Sequence, residues 1–458
     1  MSRPAAERPP AYRFLKILAW IVVNVIFRRV DVTGSSRLVE GEPTVIAANH
    51  TNGLADPVLM VGRLPGLPSF LAGADLWRFP PARFLFWLAR VLPVSRRREG
   101  TDPNNNESVF QACHEALAQG AHIALFPEGG VHLEPSMIPL KTGTARIALG
   151  AAADYGTPGV TILPIGLVYD DKGRFRSQAA IHIGHPIEVD DWVERYRADG
   201  PSAVRGLTSL LAERLHDLTL NHASWEEAAV IDRAAAITIL GERDPAPREP
   251  VFAERSALSR ALAAAIRANG GENGAAFRGL AAAIEDYRRD LALLGIDNTR
   301  AVPRLHPGWI RLRLARLAVG SVLLMPFAGV GMALNGAIVP VIHIVVARVK
   351  HPAWQTTAKG LTGLFLLPTL WATETTFAYR RFGGRTAIAV AAAAPIGGVA
   401  WIAWRVRWLR WRRTAASLEW FRHPDEALNA ARASREAVLE QVAKLVGEPA
   451  IARIRAEA

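Results

Sequence analysis

The sequence predicts an α/β domain followed by a helical region and hydrophobic membrane helices. Over residues 28–184, short apolar runs alternate with amphipathic segments, which is typical of an α/β domain. Between residues 204 and 294, leucine and alanine recur at helical spacing. From about residue 310 onward, long apolar runs with arginine or lysine at their ends indicate segments that enter a membrane.

The composition favours a protein that works at a membrane on an anionic partner. The chain has 458 residues, enough for two or three domains, with 50% hydrophobic residues and a mean hydropathy of +0.12. Its net charge of +12 suits an anionic membrane lipid or a phosphorylated substrate. Nucleic acid is disfavoured, because no basic block in the polar part is interleaved with aromatic residues. The single cysteine, Cys113, excludes an intramolecular disulfide and a cysteine-cluster metal site.

The apolar run over residues 17–27 follows Arg13 and Lys16 and is too short to cross a bilayer, which takes about 20 residues. It lacks a small-residue cleavage site followed by a polar start, so a signal peptide is not expected. We predict a helix that lies in the membrane interface with its basic residues towards lipid headgroups. An ordinary buried helix is the alternative.

The central candidate site follows one of the predicted strands, which are residues 44–48, 69–72, 123–126, 160–169 and 180–183. His50 and Asp56 come just after the first of them, in a polar loop that contains glycine. Open α/β sheets bind ligands at the carboxyl ends of their strands. The spacing allows a pair in which Asp56 fixes the imidazole tautomer and His50 accepts a proton. The alternative is that His50 and Asp56 are two unrelated surface groups.

Three further loops hold groups suited to an anionic substrate. Residues 93–98 place Arg96 after an apolar stretch, and its guanidinium matches phosphate oxygens, although a solvated basic edge has the same pattern. Glu128 is followed by Gly129, which allows close approach of the backbone to a ligand, although a plain turn looks similar. Lys141 precedes a predicted helix, so an anion could meet both the lysine and the helix amino terminus.

In this order and spacing, the motifs resemble those of the glycerolipid acyltransferase superfamily, which includes glycerol-3-phosphate and 1-acylglycerol-3-phosphate acyltransferases. The resemblance covers residues 28–225. The matching motifs are Asn49-His50 with Asp56, residues 93–96, residues 126–129, and residues 163–165. Five residues separate His50 from Asp56, where the commonest family spacing is four, and branches with an Asn-His-x-Asn-x-x-x-Asp-Pro motif resemble this chain in that respect.

The resemblance implies a membrane-bound O-acyltransferase of phospholipid biosynthesis that needs no metal or redox cofactor. His50 would deprotonate a hydroxyl of glycerol 3-phosphate or 1-acylglycerol 3-phosphate, and the oxygen would attack the thioester of acyl-CoA or acyl carrier protein. Asp56 would support the imidazolium. The candidate substrate-binding residues are Asn49, Arg96, Glu128, Gly129 and Lys141. The histidines interpreted as bystanders are His114, His122, His132, His182 and His185.

The predicted organisation places the catalytic domain at residues 30–225, on the cytoplasmic face of a membrane. The other predicted parts are an interfacial helix at 1–29, a helical region at 226–305 with a linker at 241–250, transmembrane or hairpin segments at 306–415, and a polar helix at 416–458. The apolar run over 317–346 suits one kinked span or a hairpin of two. Residues 405–413 alternate arginine with tryptophan like an interfacial segment on anionic lipid. Glycerol-3-phosphate acyltransferases of the fungal type resemble this chain in having such carboxyl-terminal segments.

Other functions stay open at this stage. A catalytically silent lipid-binding protein would keep the same fold, and an acyltransferase could use another lysophospholipid as acceptor. A hydrolase could use the same pair of side chains with water as acceptor, although the chain has no Gly-x-Ser-x-Gly motif.

Overall fold

The computed structural model describes residues 10–66, 68–73, 91–94, 107–172, 174–240, 252–293, 307–349, 354–416 and 425–457. The chain divides into two compact units, Met1–Trp225 and Glu226–Glu457. Arg96 and the linker predicted at 241–250 lie outside the described residues.

An eight-stranded sheet forms the centre of the amino-terminal unit in the part of the chain that the structure describes. Its strands are β1 (Phe27–Thr33), β2 (Thr44–Ala48), β3 (Ser69–Gly73), β4 (Leu92–Val94), β5 (His122–Leu125), β6 (Thr161–Tyr169), β7 (Ser177–Ile183) and β8 (Ile187–Glu188). The spatial order is β1-β7-β6-β2-β5-β3-β4, and β8 pairs with β6. Strand β2 runs parallel to both β5 and β6, whereas β7 is antiparallel to β6. The predicted α/β fold class is confirmed.

Helices cover both faces of this sheet. They are α1 (Pro10–Ile26), α2 (Ala55–Arg63), α3 (Glu107–Ala118), α4 (Gly143–Leu149), which continues as a π-helical segment over Gly150–Asp154, α5 (Asp190–Ala198) and α6 (Gly200–Leu218). Val45 and Ala47 pack into a core with α3, α4 and α6. Ile46 and Ala48 pack into a second core with α1 and α2. Because β2 is buried on both faces, it is a continuous apolar run and not an alternating one.

The carboxyl-terminal unit is helical in its described residues. Helices α7 (Trp225–Leu240), α8 (Phe252–Ala268), α9 (Ala275–Leu293), α14 (Asp425–Val446) and α15 (Glu448–Glu457) contribute to one apolar core. The apolar helices between them are α10 (Pro307–Asn335), α11 (Ile338–Ala347), α12 (Gln355–Phe382) and α13 (Gly384–Ala416). The apolar run over 317–346 is therefore divided between two helices, with Gly336 in the turn that separates them.

Two stretches among the described residues, Arg311–Asn335 and Gly384–Arg412, are long and apolar enough to cross a membrane by length and composition. They belong to α10 and α13, which pack against each other where Gly331 meets Gly397. A side chain on Gly331 would overlap the backbone of Gly397, so glycine permits this close crossing. Buried Asn335 joins three of these helices. It donates to the Ala394 carbonyl at 3.0 Å and accepts from the Trp371 indole nitrogen at 2.8 Å.

Candidate active site

The loop after β2 begins with an asparagine that extends sheet pairing while the backbone turns away. The Asn49 side chain donates to the Leu167 carbonyl at 3.0 Å and accepts from the Leu167 amide at 2.6 Å. Because Ala48 pairs with Ile165, these bonds extend the β2–β6 ladder by one step through a side chain. These bonds give Asn49 a structural role, because its buried amide pairs with the sheet and fixes where the next residue, His50, leaves it. The substrate contact expected of Asn49 stays a prediction.

The structure brings His50 and Asp56 together. The Nδ1 atom of His50 lies 2.8 Å from Oδ2 of Asp56, and the same oxygen accepts from the backbone amides of Thr51 at 3.0 Å and Asn52 at 2.8 Å. Asp56 is fully buried in the first turn of α2, where the helix dipole favours a carboxylate. A carboxylate can only accept, so Nδ1 carries the proton and Nε2 keeps the lone pair that a general base needs.

A tyrosine that the sequence analysis did not identify holds the other oxygen of Asp56. Tyr169 ends strand β6, next to β2, and its hydroxyl donates to Oδ1 of Asp56. Burial raises the pKa of Tyr169 well above its ordinary value, and the charge of Asp56 raises it further. The hydroxyl therefore stays protonated and remains a donor. The available signal was its position at the end of the apolar run predicted as a strand over residues 160–169.

The Phe-Pro-Glu-Gly turn lies against His50 because it follows β5, the other parallel neighbour of β2. Phe126 stacks on the imidazole with ring centroids 4.0 Å apart and an interplanar angle of 13°. The backbone amide of His50 donates to Oε2 of Glu128 at 3.0 Å. Because β2 and β5 are neighbouring strands, the loop that holds His50 and the turn at residues 126–129 lie at the same edge of the sheet, although they are far apart in the chain.

Glu128 also contacts a histidine that the sequence analysis interpreted as a bystander. Nε2 of His132 lies 2.7 Å from Oε2 of Glu128, so that interpretation is wrong for His132. The other carboxylate oxygen, Oε1, is buried and has no hydrogen-bond partner among the described residues. Burial raises the pKa of Glu128, while the hydrogen bond from the His50 amide and the interaction with His132 oppose that rise.

Lys141 lies directly over the turn that holds Glu128. Gly129 has φ +73°, and a Cβ there would overlap the end of the Lys141 side chain, so glycine meets both the backbone and the space requirement. The Lys141 amide donates to the Pro127 carbonyl at 2.8 Å. Three of the predicted substrate-binding residues, Glu128, Gly129 and Lys141, therefore share one corner of the site.

A second lysine, Lys172, belongs to the electrostatics of this site and was missed by sequence reasoning. Burial lowers its pKa, and the nearby charges of Asp56 and Glu128 oppose that change. It follows β6 in a turn, where a lysine gives no distinctive sequence signal.

By contrast, His122 and His182 make structural contacts, to the Val39 carbonyl at 3.1 Å and the Thr33 hydroxyl at 2.9 Å. No cluster of metal-ligating side chains occurs in the described ranges.

These features place a histidine–aspartate pair at the carboxyl edge of an α/β sheet, with a buried glutamate and a lysine beside the histidine. Residues 29–168 match the family model described as Acyltransferase. The resemblance to the glycerolipid acyltransferase superfamily that the motifs around His50, Asp56 and Glu128 predict is confirmed over this part of the chain.

Several known proteins are similar to this chain over its amino-terminal part. Glycerol-3-phosphate O-acyltransferase 2 of Saccharomyces cerevisiae is 30% identical over 212 residues, which cover 43% of this chain and 28% of that protein. Human 1-acyl-sn-glycerol-3-phosphate acyltransferase alpha is 30% identical over 186 residues, covering 38% of this chain and 62% of that protein. The crystal structure of the 1-acyl-sn-glycerophosphate acyltransferase of Thermotoga maritima aligns with a TM-score of 0.31 at 19% identity, covering 43% of this chain and 79% of that one. The matches thus span less than two thirds of the curated relatives named here.

Proposed function

We propose that this protein transfers a fatty acyl group from acyl-CoA or acyl carrier protein to a hydroxyl of glycerol 3-phosphate or 1-acylglycerol 3-phosphate. The observation that supports this most directly is the 2.8 Å contact between His50 Nδ1 and Asp56 Oδ2, which leaves Nε2 as a base. The similarity to glycerol-3-phosphate and 1-acylglycerol-3-phosphate acyltransferases supports the choice of acceptors.

The proposed reaction needs one base and one thioester. Nε2 of His50 takes the proton of the acceptor hydroxyl as that oxygen bonds to the thioester carbonyl carbon. The resulting tetrahedral intermediate collapses, the carbon–sulfur bond breaks, and the imidazolium returns the proton to the thiolate. The products are an ester and a free thiol. Buried Asp56 stabilises the imidazolium between these steps.

Acceptor recognition is proposed for the other side of the site. The carboxylate of Glu128 accepts a hydrogen bond from an acceptor hydroxyl, and the ammonium group of Lys141 attracts the acceptor phosphate. Arg96 is proposed as a second phosphate ligand, on the strength of its motif alone. The net charge of +12 favours the approach of such anionic substrates.

The protein is proposed to act at a membrane containing anionic lipid, with its catalytic unit on the cytoplasmic face. Helix α1 supports this by presenting an apolar stripe to solvent: Phe14, Ile17 and Trp20 are 61%, 58% and 52% exposed. Arg13 and Lys16 adjoin the stripe and complement anionic headgroups. The apolar helices α10 and α13 add two candidate membrane spans.

The reaction is tested with full-length protein reconstituted in vesicles and a radiolabelled acyl donor. The acceptors are glycerol 3-phosphate, 1-acylglycerol 3-phosphate, another lysophospholipid, and water alone. Labelled ester on either of the first two acceptors supports the proposal, provided that His50→Ala abolishes it. Ester only on the third acceptor indicates another lysophospholipid acyltransferase, free fatty acid alone indicates a hydrolase, and no turnover indicates a lipid-binding protein.

The membrane contact of α1 is tested on a chain that ends near residue 300, which lacks the apolar helices. We expect it to sediment with anionic vesicles and to be released by salt more readily than the full chain. Replacing both Ile17 and Trp20 by glutamate should weaken vesicle binding at least about tenfold, because burying one large apolar side chain contributes about 1.5–3 kcal/mol. Val39→Glu, at an exposed apolar residue outside α1, is the control. Full solubility of the unsubstituted chain at low salt would contradict the interfacial helix.

A further inference from the structure

His132 is held in one tautomer by its two hydrogen bonds. Its Nδ1 accepts from the backbone amide of Glu134 at 3.2 Å, and its Nε2 lies 2.7 Å from Oε2 of Glu128. A neutral imidazole has one donor and one acceptor nitrogen. Since Nδ1 is the acceptor, Nε2 carries the proton and donates a hydrogen bond to Glu128. The His132 side chain is 11% exposed and that of Glu128 is fully buried, so little water competes for this bond.

The two oxygens of Glu128 consequently have different environments. Oε2 accepts from the backbone amide of His50 and from the His132 ring. These two donors fix the orientation of the carboxylate. Oε1 is buried and has no hydrogen-bond partner among the described residues. A buried carboxylate oxygen without a donor is costly, and a hydroxyl of a bound polyol phosphate would satisfy it.

We propose that His132 is a positioning residue for acyl transfer: its Nε2–H holds Glu128 so that Oε1 accepts a hydrogen bond from the acceptor. The proposal rests on the proposed function above and assigns a role to a side chain outside the four motifs that identify the family. The hydrogen bonds of His132 go to Glu128 and to the Glu134 amide, not to the His50 ring, so we expect its effect on acceptor binding. Its removal frees the carboxylate to rotate away from the acceptor.

The charges around Glu128 give this role a pH signature. The groups that interact electrostatically with its carboxylate are His50, His132 and Lys172. Burial raises the pKa of Glu128 and the bond from His132 opposes that rise, so losing the donor raises the pKa further. Glu128 then stays protonated up to a higher pH. While it is protonated, it cannot accept hydrogen bonds through both oxygens. A residue that only packs against the turn would not produce this shift.

The test compares His132→Ala with His132→Gln in the full chain, reconstituted in vesicles of anionic lipid. For His132→Ala, we expect the acceptor KM to rise about 10- to 100-fold, the loss that fits a hydrogen bond to a charged group, with the donor KM unchanged. The acid limb of kcat/KM for the acceptor should move to higher pH. His132→Gln keeps an amide donor and should retain most of the acceptor affinity and the original acid limb. If His132→Ala does not fold, His132→Leu also lacks the donor and keeps more volume.

The matched control is His182, a buried histidine on β7 whose ring contacts Thr33. His182→Ala and His182→Gln should leave the acceptor KM and the acid limb unchanged in the folded protein. The positioning role would be overturned if folded His132→Ala or His132→Leu kept the original acceptor KM. It would also be overturned if the acceptor KM rose as much in His132→Gln as in His132→Ala. Absence of any transfer by the unsubstituted protein would instead overturn the proposed function on which the role depends.

Discussion

Asp56 and Glu128 are both buried carboxylates that bind a histidine, yet their surroundings differ. Asp56 is saturated: Oδ2 accepts from the His50 ring and two backbone amides, and Oδ1 accepts from Tyr169. Among the described residues, Glu128 accepts through Oε2 alone, from His132 and the His50 amide. A carboxylate that accepts from four donors has no acceptor site left for a ligand, which fits the proposed role of Asp56 in orienting the base. A carboxylate with one oxygen unused can still receive a substrate.

Under the proposed function, this difference separates the site into a side that performs chemistry and a side that binds the acceptor. Substitutions around Asp56 should therefore lower kcat, because they change the base or its support. Substitutions around Glu128 should raise the acceptor KM, because they change a contact made to the bound substrate. Variants at these residues test this separation.

The largest effect is expected for His50→Ala. General-base catalysis contributes about 10²- to 10⁴-fold, so kcat should fall by that amount. The melting temperature should fall only modestly, because Asp56 keeps its bonds from Tyr169 and two backbone amides when the imidazole and its stacking on Phe126 are lost. Steady-state turnover and thermal unfolding measured on the same preparation check both points. A variant with near-normal turnover would end the mechanism proposed above.

A smaller effect is expected for Tyr169→Phe, which removes the donor to Oδ1 of Asp56 but keeps the ring. We expect kcat to fall about tenfold with both KM values retained, since a hydrogen bond to a charged group contributes about 1.5–3 kcal/mol and part of it supports the imidazolium. Tyr155→Phe, at a tyrosine that is 45% exposed, is the control and should be silent. A rise in acceptor KM for Tyr169→Phe would show that the tyrosine affects acceptor binding, which would contradict its assignment to the support of the base.

Much of this arrangement was predictable from local sequence patterns. The strand predicted over 44–48 has the ends observed for β2, because Pro43 and Asn49 bound a fully apolar run. Strand β1 was not predicted, because Arg28, Arg29 and Asp31 interrupt its apolar residues. It is an edge strand, paired only with β7 in the described sheet, and such strands keep polar side chains in solvent.

The parts of the site that were missed depend on tertiary contacts. The spacing of Glu128 and His132 resembles a helical pair, but the segment is not helical, so no periodicity indicates their contact. Lys172 is separated from His50 by four strands along the chain, and it reaches the site through the β6 pairing with β2. Asn49 was assigned to substrate because its motif neighbours are, whereas its bonds to Leu167 follow from sheet register, which the motif does not encode.

The separation of the two carboxylates is tested most directly by steady-state kinetics of Asp56→Asn and Glu128→Gln under one assay. Asp56→Asn keeps the shape but loses the charge that stabilises the imidazolium, so kcat should fall about 10²-fold or more with both KM values within a few-fold. Glu128→Gln places an amide donor where Oε1 accepts, so the acceptor KM should rise about tenfold or more while kcat changes far less. The same pattern in both variants, whether in kcat or in KM, would contradict the division of roles proposed here.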